Sequence, residues 1–308
     1  MAKCMHLLAA LTLLLTLACN QEEPPLKVDL SRREKTVVAP DADAITYAYL
    51  PQYSHTVSYR RHHRLVAYLA RKTGLKIRQI FPDTFDEHMQ MVGQGKIDIS
   101  YSNPFIYVKI AHRYGARAFC RIVEADGRRD FRGQIICRAD NSAIHSIADC
   151  RGKRWIAVDP GSAGGYLYPL GLFMVSGIMP ADFREIAFSP GPGGKQEKVV
   201  LAVYAGKYDI GTIREGTLEV VRDKVNIGEI RVVASTPRYP GWVYAARAGL
   251  TPAVVEKIKN AMLSLDYDKA EDRRILAAAS MRGILPCEDS EFDSVRSLAR
   301  RVGIDLER

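Results

Sequence analysis

Residues 155–168 read WIAVDPGSAGGYLY: an apolar run, an Asp-Pro turn, one serine among three glycines, then apolar and aromatic residues again. If the run is a strand and its sequel a helix, the first helical turn leaves N–H groups unpartnered and carries partial positive charge. Glycine lets an anion approach that backbone closely, and Ser162 adds a hydroxyl donor. The chemistry on offer is anion capture, although a plain strand-to-helix turn uses the same residues. No Gly-Lys-Ser/Thr follows and the glycines are not spaced GxGxxG, so this is neither a P-loop nor a dinucleotide fingerprint. DPGSAGG also lacks the spacing of a GxSxG nucleophile elbow. No HExxH or Cys/His pair occurs, so the chain is read as a binder and not an enzyme. His62 and His63 are adjacent in an Arg-rich approach to a helix and are expected in solvent, not on a metal. The cysteines lack CxxC spacing, and no metal or cofactor is expected.

The elements that must position these residues alternate. DAITYAYLP reads as a buried strand, and SYRRHHRLVAYLARKTGL as a helix through Leu65, Val66, Leu69 and Ala70, ended by Gly74. The strand KIRQIFP, the helix FDEHMQMVGQGK, the strand IDISYSNP and the helix FIYVKIAHRYG follow. ARAFCRIVEA and DFRGQIICRAD lead out of this unit as paired strands, and a second βα series starts at RWIAVDP. Such alternation implies an α/β fold built on mixed, mainly parallel sheets flanked by helices. Each half contains a helix that ends in Gly-Lys-x-Asp-Ile and starts a strand, QGKIDIS in the first and AGKYDIG in the second. Loops at the carboxyl ends of such strands are where open α/β sheets bind ligands, so two lobes would present theirs to one cleft.

A chain of 308 residues suits two medium lobes. Lys3, the apolar residues 7–18 and then Cys19 form an export signal too short to span a bilayer, with a lipobox-like end. Cys19 is accordingly either the lipidated first residue of the mature protein or incidental to an ordinary cleavage site. The polar, proline-containing stretch up to residue 42 reads as a tether. The formal charge of +9 is scattered, and export argues against nucleic acid as partner. Cys120, Cys137, Cys150 and Cys287 permit disulfides in three pairings. Cys120 and Cys137, flanking ADGRRD, would oppose one another in a hairpin, and four buried thiols are the alternative.

SIADCRGKRWIAVDPGSAGGYLYPLGLFMVSGIMPADF resembles the phosphate/phosphite/phosphonate-binding periplasmic proteins of ABC transporters in its strand ending in D-P, Ser-containing turn, Pro-containing helix and G-I-x-P-x-D-F. IDISYSNPFIYVKIA and LAVYAGKYDIGTI resemble further motifs of that family, in the same order, over roughly residues 40 to 305. The resemblance implies a two-lobed periplasmic binding protein of type II, with a ligand cleft between lobes. It implies residues 1–18 as signal peptide, 19–42 as lipidated Cys and tether, 43–138 plus 240–308 as lobe 1, and 139–239 as lobe 2. A small oxyanion would sit on Ser162, Ala163, Gly164, Gly165 and Tyr166, with Tyr101, Ser102 and Asn103 closing from the first lobe and Gln196 or Lys195 donating from the second, Lys195 equally suiting a solvated surface charge. Tyr49, Glu215 and Trp242 would border the cavity, although Tyr101 also suits a core and Ser102 and Asn103 a plain turn. The chain departs from the family where Ala163 and Gly164 replace hydroxyl residues, where Gln196 stands in a place often held by histidine, and where Trp242 lies near the usual acidic clamp for an ammonium. These departures point away from aminoethylphosphonate. The partners implied are the oxyanion, an ABC permease and, through the lipid anchor, a membrane; a sensor kinase in place of the permease is the alternative.

Overall fold

Short β-branched and aromatic runs become strands, and the polar residue that closes each loop becomes a helix cap. The computed structural model describes residues 43–307; Cys19, the signal and the tether lie outside them. Strand β1 (Ile45–Tyr49) feeds helix α1 (His55–Thr73), whose first turn is capped by Ser54 and whose last ends at Gly74 with φ of +67°. Strand β2 (Ile77–Ile80) feeds α2 (Phe85–Gly93), capped by Thr84, and β3 (Ile99–Ser102) feeds α3 (Pro104–Tyr114), capped by Asn103. Each cap oxygen takes an orphan N–H, worth about 1 kcal/mol.

The first sheet has the order β13-β4-β12-β3-β1-β2. Here β4 is Arg117–Glu124, β12 is Val243–Ala246 and β13 is Met281–Pro286. Strands β1, β2 and β3 are parallel, while β12 runs antiparallel to both β3 and β4. The second sheet has the order β10-β6-β9-β7-β8, formed by β6 (Gly133–Arg138), β7 (Arg154–Ala157), β8 (Glu185–Phe188), β9 (Ile210–Arg214) and β10 (Ile230–Ser235). Its strand-to-helix units carry α4 (Tyr168–Val175), α5 (Lys195–Tyr204) and α6 (Thr217–Val221). The alternation of side chains divides its core: Ile135, Trp155 and Ala157 pack on one face, Ile136, Ile156 and Val158 on the other. Helices α7 (Pro252–Leu263), α8 (Ala270–Ala278) and α9 (Asp293–Arg301) complete the chain, and the first two pack against α1 under the first sheet. None of the helices among the described residues is long and apolar enough to cross a membrane.

The chain passes between the sheets twice, and the two passages pair as a ribbon of β5 (Asp130–Phe131) with β11 (Tyr239–Pro240). The first passage precedes β6, so residues 133–138 belong to the second sheet; the boundary expected at residue 138 falls one strand too late. The same placement removes the expected hairpin of Cys120 and Cys137, whose strands lie in different sheets. All four described cysteines are free and buried.

Candidate ligand-binding cleft

The loop after β7 enters a turn of π-helix, Ala163–Leu167, which runs on into α4. Ser162 caps it, its Oγ accepting the Gly165 N–H at 3.1 Å. Gly165 is thereby spent inside the turn, contrary to its expected place among the free donors. Ala163 and Gly164 begin the helix, where no intrahelical partner exists for their N–H groups, and the Ser162 hydroxyl keeps its own hydrogen to donate. Gly165 must be glycine for packing, because a Cβ there would lie 2.3 Å from Val158 Cγ2. Tyr166, expected beside the anion, stacks on Trp155 at 5.6 Å and meets Phe188 edge-on in the second lobe's core.

Against this turn sits the first lobe. The Asn103 Oδ1 caps α3 through Phe105 and Ile106, and its Nδ2 donates to Gly161 O at 3.2 Å, so Asn103 is a clasp between the sheets with both ends engaged. Ser102 Oγ is buried with no partner. Tyr101 stacks on Tyr244 at 4.6 Å and packs near Tyr49 and Trp242 at 5.3 and 5.1 Å, an aromatic wall at the carboxyl ends of β1 and β3. Tyr49 OH accepts from Gln52 Nε2 at 2.7 Å, and Trp242 Nε1 is a buried donor without a partner. Burial raises the phenol pKa values of Tyr49 and Tyr101, which stay neutral.

Three second-lobe residues have definite partners. The Gln196 Oε1 accepts from Arg214 N at 3.0 Å and from Thr217 Oγ1, while its N–H reaches Gln52 O across the cleft at 3.4 Å. Lys195 is buried rather than solvated, in an ion pair of 2.8 Å with Asp159. Glu215 receives Arg238 through two contacts of 2.8 and 2.9 Å and Arg132 through one of 3.0 Å. Both arginines flank the ribbon of β5 and β11, so the Glu215 carboxylate is committed to the crossovers.

Sequence reasoning passed over Arg214, Glu124 and Arg61. The Arg214 Nη2 bonds Glu124 Oε2 at 2.5 Å, an ion pair from β9 to β4 that joins the two sheets with both side chains under 15% exposed. Its guanidinium lies over Phe131 at 5.0 Å and Trp242 at 6.0 Å. Arg61 stacks on Tyr53 at 4.5 Å. These residues line a cavity of about 940 Å³ that opens between α1, the end of β4 and the end of β9. A charge closing an apolar strand, as in GTIRE, is the signal that marks Arg214. For Arg61 the signal is its place on the face shared by Ser58 and Leu65. The same face buries His62, expected in solvent: its Nδ1 meets Tyr47 OH at 2.7 Å, and burial lowers its pKa to about 3.

The sequence pattern of the family described as ABC transporter, phosphonate, periplasmic substrate-binding protein matches residues 47–292. The phosphate-import protein PhnD of Mycolicibacterium smegmatis is 25% identical over 314 residues, which cover 96% of this chain and 94% of that protein. A crystal structure of a binding protein component of an ABC phosphonate transporter from Pseudomonas aeruginosa matches with a TM-score of 0.75 at 19% identity, over 84% of this chain and 86% of that one. The PhnD1 protein of Prochlorococcus marinus, solved in complex with methylphosphonate, also matches with a TM-score of 0.75, at 14% identity, over 84% and 98% of the two chains. The two structural matches establish the two-lobed binding-protein fold.

Proposed function

Because this chain belongs to the family of periplasmic substrate-binding proteins of phosphonate ABC transporters, we propose that it captures a small phosphorus oxyanion between its lobes and delivers it to a permease. The observation that carries this is the helix start at Ser162, where the first N–H groups, of Ala163 and Gly164, have no intrahelical partner and the neighbouring Gly161 carbonyl is clasped by Asn103 of the other sheet. Donors fixed in this way lose little freedom when an anion arrives, and closing out water strengthens each of them. In this reading Gln196, Tyr101, Ser102 and Trp242 complete the shell. The crossovers at 130–132 and 236–242 act as the hinge between the lobes. Glu215 is held by two arginines and Trp242 brings no charge, which favours phosphate, phosphite or methylphosphonate over an ammonium-bearing ligand.

Thermal unfolding against phosphate, phosphite, methylphosphonate, aminoethylphosphonate, sulfate and arsenate tests the reading. A ligand at about 100 times its dissociation constant adds about 2.7 kcal/mol and raises the midpoint. A phosphorus anion is expected to do so, and silence across the panel refutes the reading. We further propose that export and lipidation at Cys19 hold the protein at the outer face of the cytoplasmic membrane. Replacing Cys19 with Ala should move it from the membrane to the soluble fraction, and continued anchoring would sink that part.

A further inference from the structure

Most charges around the cleft are paired, and an excess of positive charge is left at its α1 side. Lys195 is matched by Asp159, Glu197 by Lys224, and Glu215 by Arg132 and Arg238. On the rim, Asp126 and Glu219 are held by Arg128 and Arg222, and Asp223 is exposed to water. Within the cavity, Arg214 from the second lobe has the carboxylate of Glu124, while Arg60 and Arg61 from the first lobe and Asp223 from the second are in no ion pair among the described residues. Among the described residues Arg61 has no carboxylate at ion-pair distance, and its guanidinium lies on the Tyr53 ring. Arg214 Nε is buried and unpartnered, and so is the nearby Trp242 Nε1, whose residue is 2% exposed. A half-buried guanidinium without a counter-charge is costly to maintain unless an anion arrives to meet it.

The position of the excess matters. Gly164, one of the open donors at the helix start, packs so closely on Arg214 that a Cβ on the glycine would lie 3.3 Å from the Arg214 Cα. The guanidinium is therefore within one arginine side chain of the oxyanion position. The cavity it lines, about 940 Å³, is open to solvent and is not lined by Ser162, Ala163 or Gly164, so Arg214, which Gly164 packs against, is the link between the two.

We propose that Arg61 and Arg214 form a second anion subsite, and that the preferred ligands are phosphonates carrying a carboxylate on their carbon chain. This rests on the proposed function, with the phosphoryl group at Ser162 and the carboxylate reaching the guanidiniums. A planar fork matches a carboxylate through two parallel hydrogen bonds, which fixes orientation as well as charge. The free Nε of Arg214 and the in-plane N–H groups of Arg61, which have no carboxylate partner, supply those donors, while Glu124 keeps Arg214 from collapsing onto the helix start.

Calorimetric titration of the full chain in detergent with methylphosphonate, phosphonoacetate, 3-phosphonopropionate and aminoethylphosphonate decides the matter. One of the two phosphonocarboxylates is expected to bind at least tenfold more tightly than methylphosphonate, and Arg61→Met to bring that ratio close to one. Methylphosphonate binding as tightly as both phosphonocarboxylates in the unaltered chain overturns the subsite and leaves the oxyanion reading standing. A ratio that survives Arg61→Met in a variant with an unchanged circular dichroism spectrum overturns the role of Arg61. If no phosphorus anion binds the unaltered chain, both readings fall together.

Discussion

Glu215→Gln separates two roles for a carboxylate at the mouth of a cleft. The sequence expectation put Glu215 against the ligand; the structure ties it to Arg238 and Arg132 at the crossovers. The substitution keeps the shape and removes the charge. Glu215 and Arg238 are each 22% exposed and Arg132 is 37% exposed, so solvent screens the pairs in part and each contributes about 0.5–1 kcal/mol. The two-pronged contact with Arg238 places the sum near the upper end, about 1–2 kcal/mol. For a folded unit of this size each kcal/mol moves the unfolding midpoint by about 2–4 °C, so a fall of roughly 2–8 °C is expected. The fall should shrink at high salt, as screening already weakens the pairs in the unaltered protein. Thermal unfolding followed by circular dichroism measures it, and titration with methylphosphonate and aminoethylphosphonate accompanies it. Expected is the lowered midpoint with less than a threefold change in the affinity for methylphosphonate. An unchanged midpoint together with a tenfold loss of aminoethylphosphonate binding would refute the assignment and return Glu215 to the ligand.

Ser162→Ala removes both the cap on Gly165 and a hydroxyl donor: a loss of about 1 kcal/mol in stability and roughly tenfold weaker binding of the phosphorus anion are expected. Calorimetry with unchanged affinity would take Ser162 out of the site. His62 and His88 are buried, each with one ring nitrogen bonded and the other unpartnered, and burial lowers both pKa values to about 3. The unfolded chain takes up these two protons from about pH 6.5 downward and the folded chain does not, so stability is complete above that pH and is lost as pH falls toward 3. Denaturant unfolding should show a loss on the order of 4 kcal/mol between pH 7 and pH 5, and a flat profile would mean that neither histidine is held neutral. Burial pushes the Cys150 and Cys287 thiols up to about 12 and raises those of Cys120 and Cys137. A chain starting at residue 43 should show no reactive thiols when folded and four when unfolded without reductant; fewer than four would mean that disulfides form.

What was legible in the sequence depended on how local the cause is. The helix ends at Gly74 and Gly115, with φ of +67° each, follow from neighbours a few residues apart, and alternating elements named the α/β class. The turn at Ser162 was visible for the same reason. The partners of charged residues were not, because they are set by strand order. Arg214 meets Glu124 across 90 residues, and Lys195, read as a surface charge, meets Asp159 across 36, only because β9, β7 and β4 end at one seam. The boundary at residue 138 failed on similar grounds: β6 is apolar enough for either sheet, and its pairing with β9 and β10, distant in sequence, decides its place. Tyr166 was misplaced because a π-turn adds a residue to the circuit and swings the ring into the core beside Trp155.

The end of β9 joins the ligand to the hinge. Successive residues leaving a strand face opposite ways. Arg214 accordingly enters the cleft toward Glu124 and Trp242, and Glu215 turns to Arg132 and Arg238 at the crossovers. The backbone between them is fixed on both sides: Arg214 N donates to Gln196 at the start of α5, and Glu215 N donates to Arg132 O. On the proposed reading, an anion that meets the free Nε of Arg214 leaves the Glu124 contact in place and loads a strand end that also carries Glu215 and its two arginines. On that reading, affinity at the second subsite is set by how well an anion meets Arg61 and Arg214 together, and the +9 formal charge of the whole chain has little part in it.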